Sequence, residues 1–185
     1  MSFSKYFYKI TGLLLLTFLL ACKTTPTQRP GNSFDGSVHW ALNIAQPLIT
    51  NFAADAQLCS VQGIQIYPDG RLPGNAGTWG LSSWSPSLQK EFQVVVKWDG
   101  TTTTNTRDAA TCPSANGQPI PAGWVNSTNI FQAIHNNYSG NLGVADLVVF
   151  NIATYSSPVW GTHFQNSSEP NHYVSWDGTY LGTQP

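Results

Sequence analysis

The sequence predicts an α+β fold of two tandem units, each a helix followed by a three-stranded antiparallel sheet; an all-β sandwich is the alternative. Three observations lead there. Between Val38 and Ala54, the residues Trp40, Ile44, Leu48 and Phe52 recur at every fourth position, flanked by Ala41, Ala45 and Ile49, which is amphipathic helical spacing. Later stretches rich in β-branched and aromatic residues end in Asp-Gly, as strands closed by tight turns do. Two short blocks also occur twice in the same order, Trp-Gly at Trp79 and Trp160, then Trp-Asp-Gly-Thr at Trp98 and Trp176. The copies lie roughly 80 residues apart, the mark of an internal repeat.

The elements follow in order. Ser37 is a good N-cap for the first helix, and Pro47 inside the pattern predicts a kink or two shorter helices. Leu58–Tyr67, with Val61, Ile64 and Ile66, reads as a strand ending at Pro68-Asp69-Gly70. A Gly/Pro/Asn loop leads to Trp79–Trp84, and the Ser85-Pro86-Ser87 turn leads to Phe92–Trp98, the strongest strand of the first half. Residues 101–123 keep no apolar period and read as a loop. The second half repeats the order. A helix over Asn129–Tyr138 is capped by Ser127 or Thr128 and ended by Gly140, a strand covers Leu147–Tyr155, and a hairpin opens at Trp160 and closes with His172–Thr179. The resulting division is 34–108 for the first unit, 109–123 for a linker and 124–185 for the second unit. Units of this size are marginal alone, so docking of the two halves is expected to help both.

Composition excludes several functions. The chain has 185 residues, of which 9% are charged, with 8 basic and 9 acidic side chains. Disorder requires high net charge and low hydrophobicity, and neither is present. Eight scattered basic residues cannot neutralise a run of phosphates, so nucleic acid is not an expected partner.

The N-terminus carries an address. Lys5 and Lys9 precede the apolar run Ile10–Ala21, which is too short to span a bilayer as a helix and suits a secretory leader. Leu19-Leu20-Ala21-Cys22 resembles the lipobox of bacterial lipoproteins. The resemblance covers residues 1–22. It implies a signal peptide over 1–21, diacylglycerol on the Cys22 sulfur, and usually a fatty acyl group, palmitate for example, on the new amino group. One chain anchors a protein only marginally, whereas two or three hold it firmly. Lys23 is not the aspartate that marks inner-membrane retention in that family. The resemblance therefore implies an outer-membrane destination in a Gram-negative cell, reached through the lipoprotein processing and sorting machinery. Residues 22–33 comprise the lipidated cysteine and a polar, proline-containing tether. Loss of Lys5 and Lys9 with the leader leaves the mature chain at net charge −3. Its hold on the membrane then rests on the lipid, and no other cofactor is expected.

Cys59 and Cys112 remain as an even pair in an oxidising compartment, so a disulfide between them is expected, with two separate thiols as the alternative. No cationic neighbour would activate either thiol.

Catalytic constellations are missing. His39, His135, His163 and His172 form no metal-ligand spacing, though His163 and His172 fall on opposite arms of the last hairpin. They read as surface histidines. Asp69, Asp99 and Asp177 sit in Asp-Gly turns, where they cap backbone. No nucleophile elbow or phosphate loop is present, and an enzyme is not expected. Of the 7 tryptophans, Trp40 lies on the helix stripe, while Trp79, Trp98, Trp160 and Trp176 occupy equivalent strand ends and suit packing. Trp84 and Trp124 flank loops without repeat partners and are the candidate ligand-binding residues.

The order of helix, meander and Trp-Asp-Gly turn resembles the small PepSY and cystatin-like modules of bacterial envelope proteins. That resemblance implies a membrane-anchored protein-binding, inhibitory or scaffold module. The long Gly/Pro insertion between Tyr67 and Trp79 departs from those modules. A surface glycan-binding module is the alternative, since low charge, indoles and amides suit sugars. The blandest reading is a structural lipoprotein without a discrete ligand.

Overall fold

The computed structural model describes residues 34–114, 117–150, 157–164 and 168–184. The leader and Cys22 lie outside the described residues. The first half runs α1 (Val38–Phe52), β1 (Gln57–Ile64), β2 (Thr78–Ser85), β3 (Lys90–Lys97) and β4 (Thr102–Asp108). The second runs α2 (Ser127–Asn137), β5 (Ala145–Phe150), β6 (Val159–Phe164), β7 (Asn171–Ser175) and β8 (Tyr180–Gln184). The fold is α+β, but each helix is followed by four strands rather than three. The extra strands are β4 and β8, both at sheet edges.

All eight strands form one antiparallel sheet in the order β4-β3-β2-β1-β5-β6-β7-β8. Each half is a meander, and the two meanders meet through their first strands. That join is short: Gln62 pairs with Val149 and Gly63 with Val148. Just beyond it, Ile66 and Ala145 exchange two backbone hydrogen bonds, each 2.8 Å long.

α1 begins where the Ser37 side chain accepts a hydrogen bond from the Trp40 backbone N–H, at 3.3 Å. It is one continuous helix through Pro47, not two. Proline at that position leaves the Asn43 carbonyl without its usual donor, and Asn43 lies on the exposed side, where water can serve it. The buried stripe Val38, Ala41, Ala45 and Ile49 packs on Trp79, Leu81, Val94 and Val96 of the sheet, while Phe52 stacks on Phe92 at 4.7 Å. α2 is capped by Asn126, one residue before the earliest cap the sequence suggests, and buries Ile130, Phe131 and Ile134. Both helices contribute to one core cluster, so both cover the same face of the sheet.

The Gly/Pro insertion fastens the halves together. Leu72 donates its N–H to the Gly36 carbonyl at 2.9 Å and is 3% exposed. The Ser127 hydroxyl donates to the Gly70 carbonyl at 2.6 Å and accepts from the Val38 N–H at 3.1 Å. Asn126 Oδ1 accepts from the His39 N–H at 3.1 Å. The ring of His135 donates to the Pro68 carbonyl at 2.9 Å. Gly70 has φ +80°, and a β-carbon there would lie 2.5 Å from the Ser127 carbonyl oxygen, so only glycine fits.

The repeated Trp-Asp-Gly-Thr blocks build the same turn. Gly100 donates to Lys97 O at 2.9 Å and Gly178 to Ser175 O at 3.0 Å. The closing pairs are Lys97 to Thr101 at 2.9 Å and Ser175 to Thr179 at 2.8 Å. In each, the aspartate Oδ1 accepts the threonine N–H, at 3.0 Å in the first and 3.3 Å in the second. Glycine supplies the positive φ that both turns need, +78° and +94°.

Candidate functional site

With the helices on one face, the register shows what the other face offers. Residues directly opposite in an antiparallel pair share a face. On the helix-free face of the first half, Trp84 stands opposite Glu91, and Glu91 opposite Arg107. The next row is Ser60, Ser82, Gln93 and Asn105, followed by Gln62, Gly80, Val95 and Thr103. Apart from Gly80 and Val95, each of these can form side-chain hydrogen bonds.

Glu91 and Ser82 are sunk into the face. The Glu91 side chain is 5% exposed and accepts from the Ser82 hydroxyl at 2.5 Å and from Arg107 Nε. Arg107 itself is 67% exposed in its side chain, so the pair has a buried carboxylate below and a solvent-facing guanidinium above. Glu91, Gln93, Asn105 and Arg107 line a shallow cleft of about 80 Å³.

The same face of the second half is different. Val159 and Tyr173, which alternate to that side, are 0% and 9% exposed and lie outside the common core cluster. His163 is its exposed polar residue on β6. His163 and His172 therefore do not face one another. His172 pairs with Thr162 on the helix side, while His163 points to the opposite face.

His172 is not a surface residue either. It is completely buried, with Nδ1 2.9 Å from the Tyr180 hydroxyl and its ring 4.6 Å from that of Tyr138. Burial pulls its pKa below the ordinary 6.5, against an opposing pull from Glu169. His39, half-buried against Trp124, is lowered for the same reason, opposed by a hydrogen bond to the Trp124 backbone and by Asp35. The Asp99 and Asp177 carboxyls are held below the ordinary carboxylate value chiefly by hydroxyl hydrogen bonds, from Thr101 and Ser175 respectively. They cap their turns, and Asp69 does the same by accepting the Arg71 N–H at 3.1 Å.

Cys59 and Cys112 form a disulfide, with Cα atoms 5.6 Å apart. It fastens the connector after β4 to the bulge in β1, and Ile120 adds a backbone bond to Leu58 at 2.8 Å. Of the two candidate tryptophans, Trp84 lies on the open face, its indole N–H donating to the Ala109 carbonyl at 2.8 Å. Trp124 is instead packed among His39 and Trp160, with ring centroids at 4.6 and 5.6 Å, and supports the join between halves. Trp79 and Trp160 are core residues as expected, whereas Trp98 is 38% exposed.

Glu91, Gln93, Asn105 and Arg107 were not evident in the sequence, because they are brought together by strand register and by a fourth strand with no apolar residue. Among the described residues, no group of three or more His, Cys, Asp and Glu side chains is placed to hold a metal ion. None of their helices is long and apolar enough to cross a membrane. Comparisons with protein-family models, curated proteins and solved structures gave no match.

Proposed function

We propose that this chain is a membrane-anchored envelope lipoprotein acting as a protein-binding or inhibitory scaffold module, and that the open face of its first half is the docking surface. The observation that carries the reading is the asymmetry of the sheet: helices cover one side, and the other presents rows of polar groups around a neutralised, half-sunk ion pair. A polar surface suits specific docking, because a wrong partner leaves its hydrogen-bonding groups unsatisfied. Lipid on Cys22 would anchor the chain, and the tether of 22–33 would lift the folded part off the bilayer, in the outer membrane where the cell has one. The partner on this reading is another envelope protein. Processing and sorting factors would be met on the way.

We further infer that 34–108 and 124–185 descend from one duplicated unit, with 109–123 as the connector. Matching element order, matching Trp-Gly positions and matching backbone hydrogen bonds in the two Trp-Asp-Gly-Thr turns support this.

Labelling cells with a clickable palmitate tests the anchor. The full chain should take up label, and a Cys22→Ala variant should lose both the label and its place in the membrane. Unlabelled wild-type protein released to the medium would overturn the lipoprotein reading.

A second reading, a surface glycan-binding module, is favoured by one observation. Trp84, Gln93, Asn105 and Arg107 lie together on the open face, an indole beside amides and a guanidinium.

A further inference from the structure

We propose that the cleft between β3 and β4 binds a neutral oligosaccharide, with Gln93, Asn105 and Arg107 as its hydrogen-bonding residues and Trp84 at its rim. The inference rests on the glycan reading above and supplies its site and ligand class.

The register places the groups. Glu91 and Arg107 are direct cross-strand partners, Gln93 and Asn105 are partners in the next row, and Trp84 stands beside Glu91 on β2. Charge then selects the ligand. Glu91 and Arg107 cancel, and no other ionised side chain lines the cleft. An anionic ligand approaching the guanidinium meets the Glu91 carboxylate behind it, and a cationic ligand meets Arg107 first. A neutral ligand meets neither penalty.

Hydrogen-bond type narrows the class further. Gln93 and Asn105 each offer an acceptor oxygen and a donor NH₂, while Arg107 offers donors only. A sugar hydroxyl both donates and accepts, so adjacent hydroxyls on one ring can satisfy an amide from both sides. The exposure pattern fits a docking role. Asn105 and Arg107 are exposed, Gln93 is half-buried, and Glu91 is held from below by Ser82, so Arg107 is aimed by a fixed carboxylate. The cleft is open and shallow, which suits one or two rings of a longer chain lying across the strands rather than an enclosed monosaccharide. The corresponding face of the second half instead buries Val159 and Tyr173.

The test uses the full lipidated chain in detergent, titrated calorimetrically with hexamers of the glucan, cello and chitin series, and with oligogalacturonate as the charged control. One neutral series should bind saturably. Asn105→Ala should weaken it by about tenfold, the loss of one or two hydrogen bonds, without lowering the melting temperature. Arg107→Ala should weaken it at least as much, and His163→Ala on the other half should leave it unchanged. Binding that is indifferent to Asn105→Ala and Arg107→Ala would overturn the site while the glycan reading stands. Tighter binding of oligogalacturonate than of any neutral hexamer would overturn the ligand class. Absence of binding across all series would overturn the glycan reading and this inference together.

Discussion

The two halves share one plan and differ in where they put polar groups. In the first, the helix side of the sheet is apolar at the central rows, Leu81 opposite Val94 and Trp79 opposite Val96, and polarity is displaced to the open face. In the second, Trp160 opposite Val174 repeats one of those rows, but the next is Thr162 opposite His172, and Tyr180 replaces Thr102 beside it. The open side of that half instead buries Val159 and Tyr173. The first half thus has a conventional core and a polar outer surface, whereas the second has a polar cluster within its core.

The largest effect expected from breaking this comparison lies in the first half. Its connector is held by the disulfide, and Cys59→Ser with Cys112→Ser should cost about 4 kcal/mol by the loop-entropy argument. Denaturant titration of the double variant checks this; an unchanged midpoint would mean that the connector is held by packing alone. Next comes the join. Gly70→Ala forces a β-carbon against the Ser127 carbonyl in a left-handed conformation and should cost about 2–3 kcal/mol. Because Gly70 ties the first half to α2, amide exchange should accelerate on both sides of the join.

A smaller effect comes from pH. His172 in the folded chain has a pKa below 6.5, so the unfolded chain binds its proton more readily. Stability from this group is whole above pH 6.5 and declines as pH falls from there toward the lowered folded value. His39 adds a decline of the same sign. The denaturation midpoint should therefore drop between pH 7 and 5, and His172→Leu should flatten much of that slope; an unaltered slope would show that the buried ring contributes none of it. Asp99 and Asp177, both lowered, contribute stability above pH 3.8 that is lost as pH falls through their folded values. Their turns are equivalent, so Asp99→Asn and Asp177→Asn should shift the acid limb alike and only slightly.

Much of this plan is legible in the sequence where apolar periodicity carries it. α1 and α2 follow from stripes at helical spacing, and the central strands follow from runs such as Phe92–Lys97. The Trp-Gly and Trp-Asp-Gly-Thr blocks are legible in the sequence because those residues set a core indole and a turn. β4 was hidden because Thr102–Asp108 has no apolar residue at all, and an edge strand beyond the cover of α1 needs none. Its threonines, good strand formers, were the available signal. The burial of His172 was hidden for the opposite reason. An inward strand position is read as apolar, and here a histidine fills it by bonding a tyrosine contributed by the last strand. The open-face cluster depends on register across three strands, which turn lengths fix and local composition does not record.

The central claim is that the first half presents the recognition surface and the second does not. A photo-reactive amino acid placed at Asn105, and separately at His163, in the full chain within its own envelope tests it directly. Both positions are exposed on the helix-free side, one in each half. A discrete protein or glycan adduct from Asn105, with none from His163, is the result expected. Adducts from His163 alone, or equally from both, would contradict the account.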